Sequence, residues 1–213
     1  MLIPELKLSD QSPVGKGKTR LIYQHPENPD WLVKVHRSRM TGNESGWQRR
    51  WREAEDRFLF RSGILRELQP YLDSRYHQAN APLIPHIVPI IGIADTDIGL
   101  GLVVRAARAQ DGSLAPTVRR LMRQGTMTPE QARAVHELLH KLVQTPLVLG
   151  DLNQDNIVLV REPEMDTDKA MLIDGLGDRT WIPVRHWSAW LNARAKRHFV
   201  TKMRRKLKAV ENT

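Results

Sequence analysis

Two carboxylates and an amide stand at spacings that suit phosphoryl chemistry. Asp151 opens the polar loop GDLNQDN five residues ahead of Asn156, and the apolar run IVLV follows at once. Asp174 closes a second apolar run, AMLI, and precedes Gly175. If the two runs pair as a hairpin, Asn156 and Asp174 come together at its open end. Two oxygen donors there suit Mg²⁺, a hard cation that keeps waters or phosphate oxygens in its shell. Asp151, at the start of the loop, would face the same space as a proton acceptor or orienting group for a hydroxyl nucleophile. Asp and Asn are also ordinary turn-formers, so D-x-x-x-x-N alone is weak; D-x-x-x-x-N, strand, hairpin and D-G together are more specific.

A second set of candidates lies upstream. Gly15 and Gly17, in SPVGKGKTRLIY, precede a strand, and glycine there lets backbone amides approach a phosphate. Lys34, inside WLVKV, alternates away from neighbours that read as core. Turned inward, such a lysine needs an anionic partner; phosphate oxygens and a helical glutamate would serve. The bland alternatives are a flexible turn and a lysine snorkelling from a strand edge. GKGKT is not a Walker A loop, because Ser12 stands where glycine is required and a strand rather than a helix follows. His136 and His140 share i, i+4 spacing, but beside the apolar face of a helix, which favours a structural role over zinc.

The elements that must position these groups are legible in outline. Leu21–Tyr23 and Trp31–Val35 flank the turn-rich HPENPD and predict a β-hairpin. Residues 47–72 predict helix, with apolar Leu59, Ile64, Leu65 and Leu68 and a possible break at Gly63. Residues 84–94 and Leu100–Arg105 predict strands around DTDIG. TVRRLMRQG predicts a helix, and TPEQARAVHELLHKLV a second one, capped by Thr128 and Gln131 with Pro129 at its first position. LVL, IVLV and AMLID predict short strands. The change from strands to helices places a boundary near residues 105–112.

The chain has 213 residues, no cysteine, and a net charge of +9. Disulfides, thiolate metal sites and thiol catalysis are excluded. Glu5 and Lys7 interrupt the N-terminus where a secretion signal would be apolar, and no stretch reaches the roughly 20 apolar residues of a spanning helix, so the chain reads as soluble and cytoplasmic. Residues 181–213 hold nine Lys and Arg against Glu211 alone, a net of +8, whereas residues 1–180 hold 24 bases and 23 acids. The nearly neutral body argues against nucleic acid as the main partner. Trp187, Leu191, Ala195, Phe199, Met203 and Leu207 recur every fourth residue, beside Trp190 and Val200, and predict a helix that packs on the body with its cations solvated. That basic helix is a candidate interaction surface.

Glycine turn, strand lysine, helical glutamate, D-x-x-x-x-N and D-G, in this order, resemble the protein-kinase-like fold. The G-D-L start of the loop is similar to that of small-molecule and aminoglycoside-type phosphotransferases. Over most of residues 12–178 the chain resembles the bacterial YrbL family, named for the PhoP regulatory network, through GKGKTRLIYQHPENPDWLVKV, TDIGLGLVV, DGSLAPTVRRLM, LGDLNQDNIVLV and LIDGLGD. The resemblance implies an α+β, two-lobed kinase-like fold, with an antiparallel β-rich N-lobe over 1–108 and a mainly helical C-lobe over 109–213. It implies ATP and Mg²⁺ as cofactors, Lys34 on the α/β-phosphates paired with Glu67, Asp151 as the catalytic carboxylate, and Asn156 and Asp174 on metal. Glu53 and Glu55 could replace Glu67 as the partner. The sequence departs from the pattern at Leu149, where relatives place a bracing His, at Asn153, where protein kinases place Lys, and at Arg20, the position of the third glycine. The segment after D-G also lacks an A-P-E anchor. The implied function is phosphotransfer to an unknown acceptor, a small molecule ahead of a protein; the alternative is a nucleotide-binding pseudokinase that acts by protein contact.

Overall fold

The structure, a computed structural model, describes residues 5–17, 19–38, 46–148, 152–162, 167–174 and 189–211. It is α+β and divides into two units. Unit 1 comprises Met1–Leu68 and Pro89–Ala106, and unit 2 comprises Gln69–Val88 and Ala107–Thr213.

Unit 1 is an antiparallel sheet of five strands, β1 (Gly15–Lys16), β2 (Arg20–Gln24), β3 (Trp31–His36), β4 (Ile90–Ala94) and β5 (Gly101–Arg105), in the order β1-β2-β3-β5-β4. The β2–β3 hairpin forms where alternation and the HPENPD turn predict it, with Ile22 opposite Lys34. Val33 and Val35 point into a core with Leu6, Leu8, Tyr23, Ala94 and Val103, which turns Lys34 to the other face. The TDIGLGLV stretch holds this core together. The Asp97 carboxylate accepts from the Ser9 hydroxyl at 2.6 Å and the Leu8 amide at 2.8 Å, and these bonds hold its pKa below the ordinary value. Gly99 has φ +112°, and a Cβ at Gly101 would lie 2.5 Å from Val33 Cγ1, so β5 can approach β3 only with glycine there.

Helix α1 (Gly46–Tyr76) is unbroken over 31 residues, and the boundary between the units falls within it. Gly63 does not split it, since one interior glycine costs only about 1 kcal/mol. Leu65, one of the apolar residues of this stretch, is exposed. Residues 84–86, expected as strand, finish a 3-10 helix (Gln78–His86) carrying two prolines that supply no ladder donors.

Unit 2 contains α2 (Val118–Gln124), α3 (Pro129–Gln144), the hairpin β6 (Ile157–Glu162) and β7 (Thr167–Leu172), and α4 (Ala189–Glu211). Thr117 caps α2, and Gly125 ends it at φ 65°. Thr128 and Gln131 form the expected capping box on α3. Val135, Leu138, Leu139 and Leu142 meet Ile157, Leu159, Leu172, Val200, Met203 and Leu207 in one core. Leu147 and Val148 of the expected LVL strand are not strand, and Leu149 lies outside the described residues. The backbone there is held by side chains instead. Asn80 Oδ1 accepts from the Leu147 amide at 3.2 Å, Asn192 donates to the Pro146 and Leu147 carbonyls at 3.0 and 3.3 Å, and Lys196 donates to the Thr145 carbonyl at 2.6 Å.

Helix α4 packs as its period predicts, with a shift in the buried line. Asn192, Lys196, Val200, Met203 and Leu207 are buried, while Ala195 and Phe199 are half-buried. Lys196, expected among the solvated cations, is 2% exposed, and burial pushes its pKa down to about 8. Trp187 lies outside the described residues, and the side chains of Trp190 and Leu191 are likewise undescribed. Among the described residues no helix is long and apolar enough to cross a membrane.

Candidate functional site

In unit 1, β1 and β2 make the glycine segment a tight hairpin. Gly15 pairs with Ile22, and the Gly17 amide donates to the Arg20 carbonyl at 2.8 Å. Lys34, on the face of β3 opposite the Val33–Val35 core, forms an ion pair with Glu67 of α1. The side chains are 10% and 7% exposed, so the pair is largely dry. Of the three candidate glutamates, the structure brings Glu67 to Lys34. Glu53 pairs with Arg49 at 2.9 Å on the exposed side of α1, and Glu55 lines a hollow with Trp51, Arg52 and Asp56.

Arg20 joins this pair. Its guanidinium bonds the other Glu67 oxygen and the Gly63 carbonyl. One carboxylate therefore holds two cations, one on the strand that leaves the glycine turn and one on the central β3. The sequence pointed at Arg20 only as a lost glycine; its second partner on α1 is set by tertiary packing.

In unit 2, the β6–β7 hairpin brings Asn156 and Asp174 to the same end. Ile157 pairs with Leu172, and the Ile173 amide donates to the Asn156 carbonyl at 3.0 Å, one residue short of Asp174. Asn156 is half-buried and Asp174 is exposed. The loop before Asn156 is shaped by Asn153, whose Oδ1 accepts from the amides of Asp155 at 2.7 Å and Asn156 at 3.2 Å. That Asx-type turn gives the Asn153 side chain a local structural role. Gln154 is buried, donating to the sulfurs of Met122 and Met203 at 3.3 Å, and so ties the loop to α2 and α4. Arg119 pairs with Asp155 at 2.7 Å in the open. Nothing in the pattern GDLNQDN singles out Gln154, because its partners are two distant methionines. Asp151 lies outside the described residues.

The donor set at the hairpin end is one carboxylate and one amide. Such a pair fits a cation that keeps most of its own water or phosphate ligands, as Mg²⁺ does, and does not fit a closed zinc site. Among the described residues no cluster of three or more His, Cys, Asp or Glu could hold a metal ion. His140 Nε2 lies 3.3 Å from the Gln144 side-chain amide on its own helix.

The family model for "PhoP regulatory network protein YrbL" matches residues 6–208. The chain belongs to the YrbL family. Two relatives, each named "Uncharacterized protein YrbL", from Escherichia coli (strain K12) and Shigella flexneri, are 25% identical over 189 residues. The match spans 87% of this chain and 80% of each relative. Within the YrbL match lie the glycine hairpin, the Arg20–Glu67–Lys34 cluster, the Asn153 turn and all but the last three residues of the basic helix α4.

Proposed function

We propose that the chain is a kinase-like, ATP- and Mg²⁺-dependent phosphotransferase acting on a hydroxyl of a small molecule. The observation that carries this reading is the dry ion pair between Lys34 and Glu67 beside a glycine hairpin. Burying a lysine and a glutamate together brings little net stability, whereas a lysine held rigidly by a carboxylate is ready to receive phosphate oxygens. The antiparallel sheet with its helix in unit 1, and the helices with the loop and hairpin in unit 2, agree with a two-lobed kinase-like fold.

In this reading each unit contributes its own groups. Lys34 fixes the α/β-phosphates, and the Gly15–Gly17 hairpin covers them. Asn156 and Asp174 would hold Mg²⁺, which when bound neutralises triphosphate charge. Asp151 orients the acceptor hydroxyl and takes its proton. Positioning and charge compensation then supply most of the rate. The G-D-L loop and the absence of an A-P-E anchor favour a small acceptor.

A second reading, nucleotide binding without transfer, is favoured by Asn153. Its side chain is engaged in the turn, which leaves no lysine there to meet a transferred phosphoryl. Titration calorimetry of ATP with and without Mg²⁺, on wild type, Lys34→Ala and Asp174→Ala, tests the site. The expected result is metal-dependent binding weakened by both substitutions; three identical curves overturn it. Turnover of ATP abolished by Asp151→Asn separates the first reading from the second.

A further inference from the structure

Helix α4 has two faces, one buried and one exposed. Asn192, Lys196, Val200, Met203 and Leu207 are buried on the rest of unit 2. The opposite line carries Arg194, Arg197, His198, Thr201, Arg205 and Lys208, with Lys202 and Arg204 on its flanks, all exposed. No Asp or Glu occurs between Asp178 and Glu211. Among the described residues, no carboxylate pairs with Arg197, Lys202, Arg204, Arg205 or Lys208.

That surface works against its own helix. Lys202 and Arg205, Lys202 and Lys206, Arg204 and Lys208, and Arg205 and Lys208 stand three or four residues apart. Each such like-charged pair costs roughly 0.2–0.5 kcal/mol. A helix that served only as packing would carry acids among the bases, as α3 does with Glu137 and Lys141 at 2.5 Å. The repulsion is useful only if an anion relieves it.

The chemistry of the line selects among anionic partners. Protein interfaces depend on buried aromatic or apolar anchors, and amphipathic membrane binding needs apolar side chains to insert. Of the exposed large hydrophobic residues described, none lies on α4. A nucleic-acid backbone, by contrast, binds through charge alone. Arginine forks match phosphate oxygens two at a time, and Arg194, Arg197, His198 and Thr201 together line a hollow of about 430 Å³ on this face.

We propose that the outward face of α4 docks the phosphate backbone of a nucleic acid, independently of the residues assigned above to nucleotide and metal. Deleting the helix would not test this, because its other face is core. The test is fluorescence anisotropy of a short labelled duplex with the full chain across a salt series. Wild type is compared with a variant carrying Arg197→Gln, Lys202→Gln, Arg205→Gln and Lys208→Gln, whose melting temperature confirms the fold. With four phosphates engaged, log K against log salt has a slope of about −4 in wild type. The variant flattens it towards zero and loses at least about tenfold in affinity at low salt. The proposal is overturned by no binding at low salt, by an unchanged slope in the variant, or by phosphatidylserine vesicles alone showing the dependence on these residues.

Discussion

Replacing Glu67 by Gln removes the one carboxylate that Arg20 and Lys34 share while keeping the size and shape of the side chain. Side-chain exposures are 16% for Arg20, 10% for Lys34 and 7% for Glu67, so water can do little to compensate. Removing one partner of a buried ion pair costs about 3–5 kcal/mol, chiefly through the charge left behind. Removing a cation instead, as in Lys34→Met, leaves Glu67 bound to Arg20 and costs only the charge-assisted bond, about 1.5–3 kcal/mol. The order of effects is therefore the useful quantity. At about 2–4 °C per kcal/mol for a chain of this size, Glu67→Gln lowers Tm by about 6–20 °C and Lys34→Met by clearly less. Thermal melts of the two single variants and of the double variant form a cycle, and the double variant should lose less than the sum. Equal losses in both single variants, or strict additivity, would refute a shared dry carboxylate.

Three further outcomes follow from groups elsewhere in the fold. His86 is buried, with Nδ1 2.8 Å from the Ala170 carbonyl and Nε2 2.8 Å from Lys141 Nζ, and burial pushes its pKa down. The unfolded chain then takes up the proton first, so stability falls as pH drops below about 6.5; Tm measured across that range should fall in wild type and flatten in His86→Gln, and matching profiles would count against it. Lys196 titrates at about 8 when folded, below its unfolded value, so stability should rise as pH climbs above about 8. Lys196→Met should erase that rise in alkaline denaturation curves. Gly101→Ala should cost about 1–3 kcal/mol through overpacking against Val33, and an unchanged urea midpoint would contradict the close approach of β5 to β3.

What the sequence disclosed depended on how far the deciding contacts reach. The β2–β3 and β6–β7 hairpins and the Thr128–Gln131 box are set by neighbours within a few residues, and they stand where pattern and turn chemistry place them. Leu147 and Val148, with Leu149, carry the composition of a strand, and residues 145–148 form none. Their backbone is instead taken up by Asn80, Asn192 and Lys196, far away in the chain, which no local pattern encodes. The choice among Glu53, Glu55 and Glu67 depends on which turn of a 31-residue helix lies against β3. The four-residue repeat in the basic tail gave the right kind of element, but its buried line takes in Asn192 and Lys196 because both find carbonyl acceptors inside. The stretch TDIGLGLV, distinctive as a family mark, holds strands and a turn together through Asp97, Gly99 and Gly101.

The attachment of residues 145–147 to α4 fixes an order of events during synthesis. Thr145, Pro146 and Leu147 leave the ribosome 45 to 51 residues before Lys196 and Asn192, the groups that hold their carbonyls. Until the helix arrives, that stretch of backbone must rely on solvent for its hydrogen bonds, and the α3 face that receives Val200, Met203 and Leu207 stays open. The core of unit 2 can therefore close only after translation has passed Leu207.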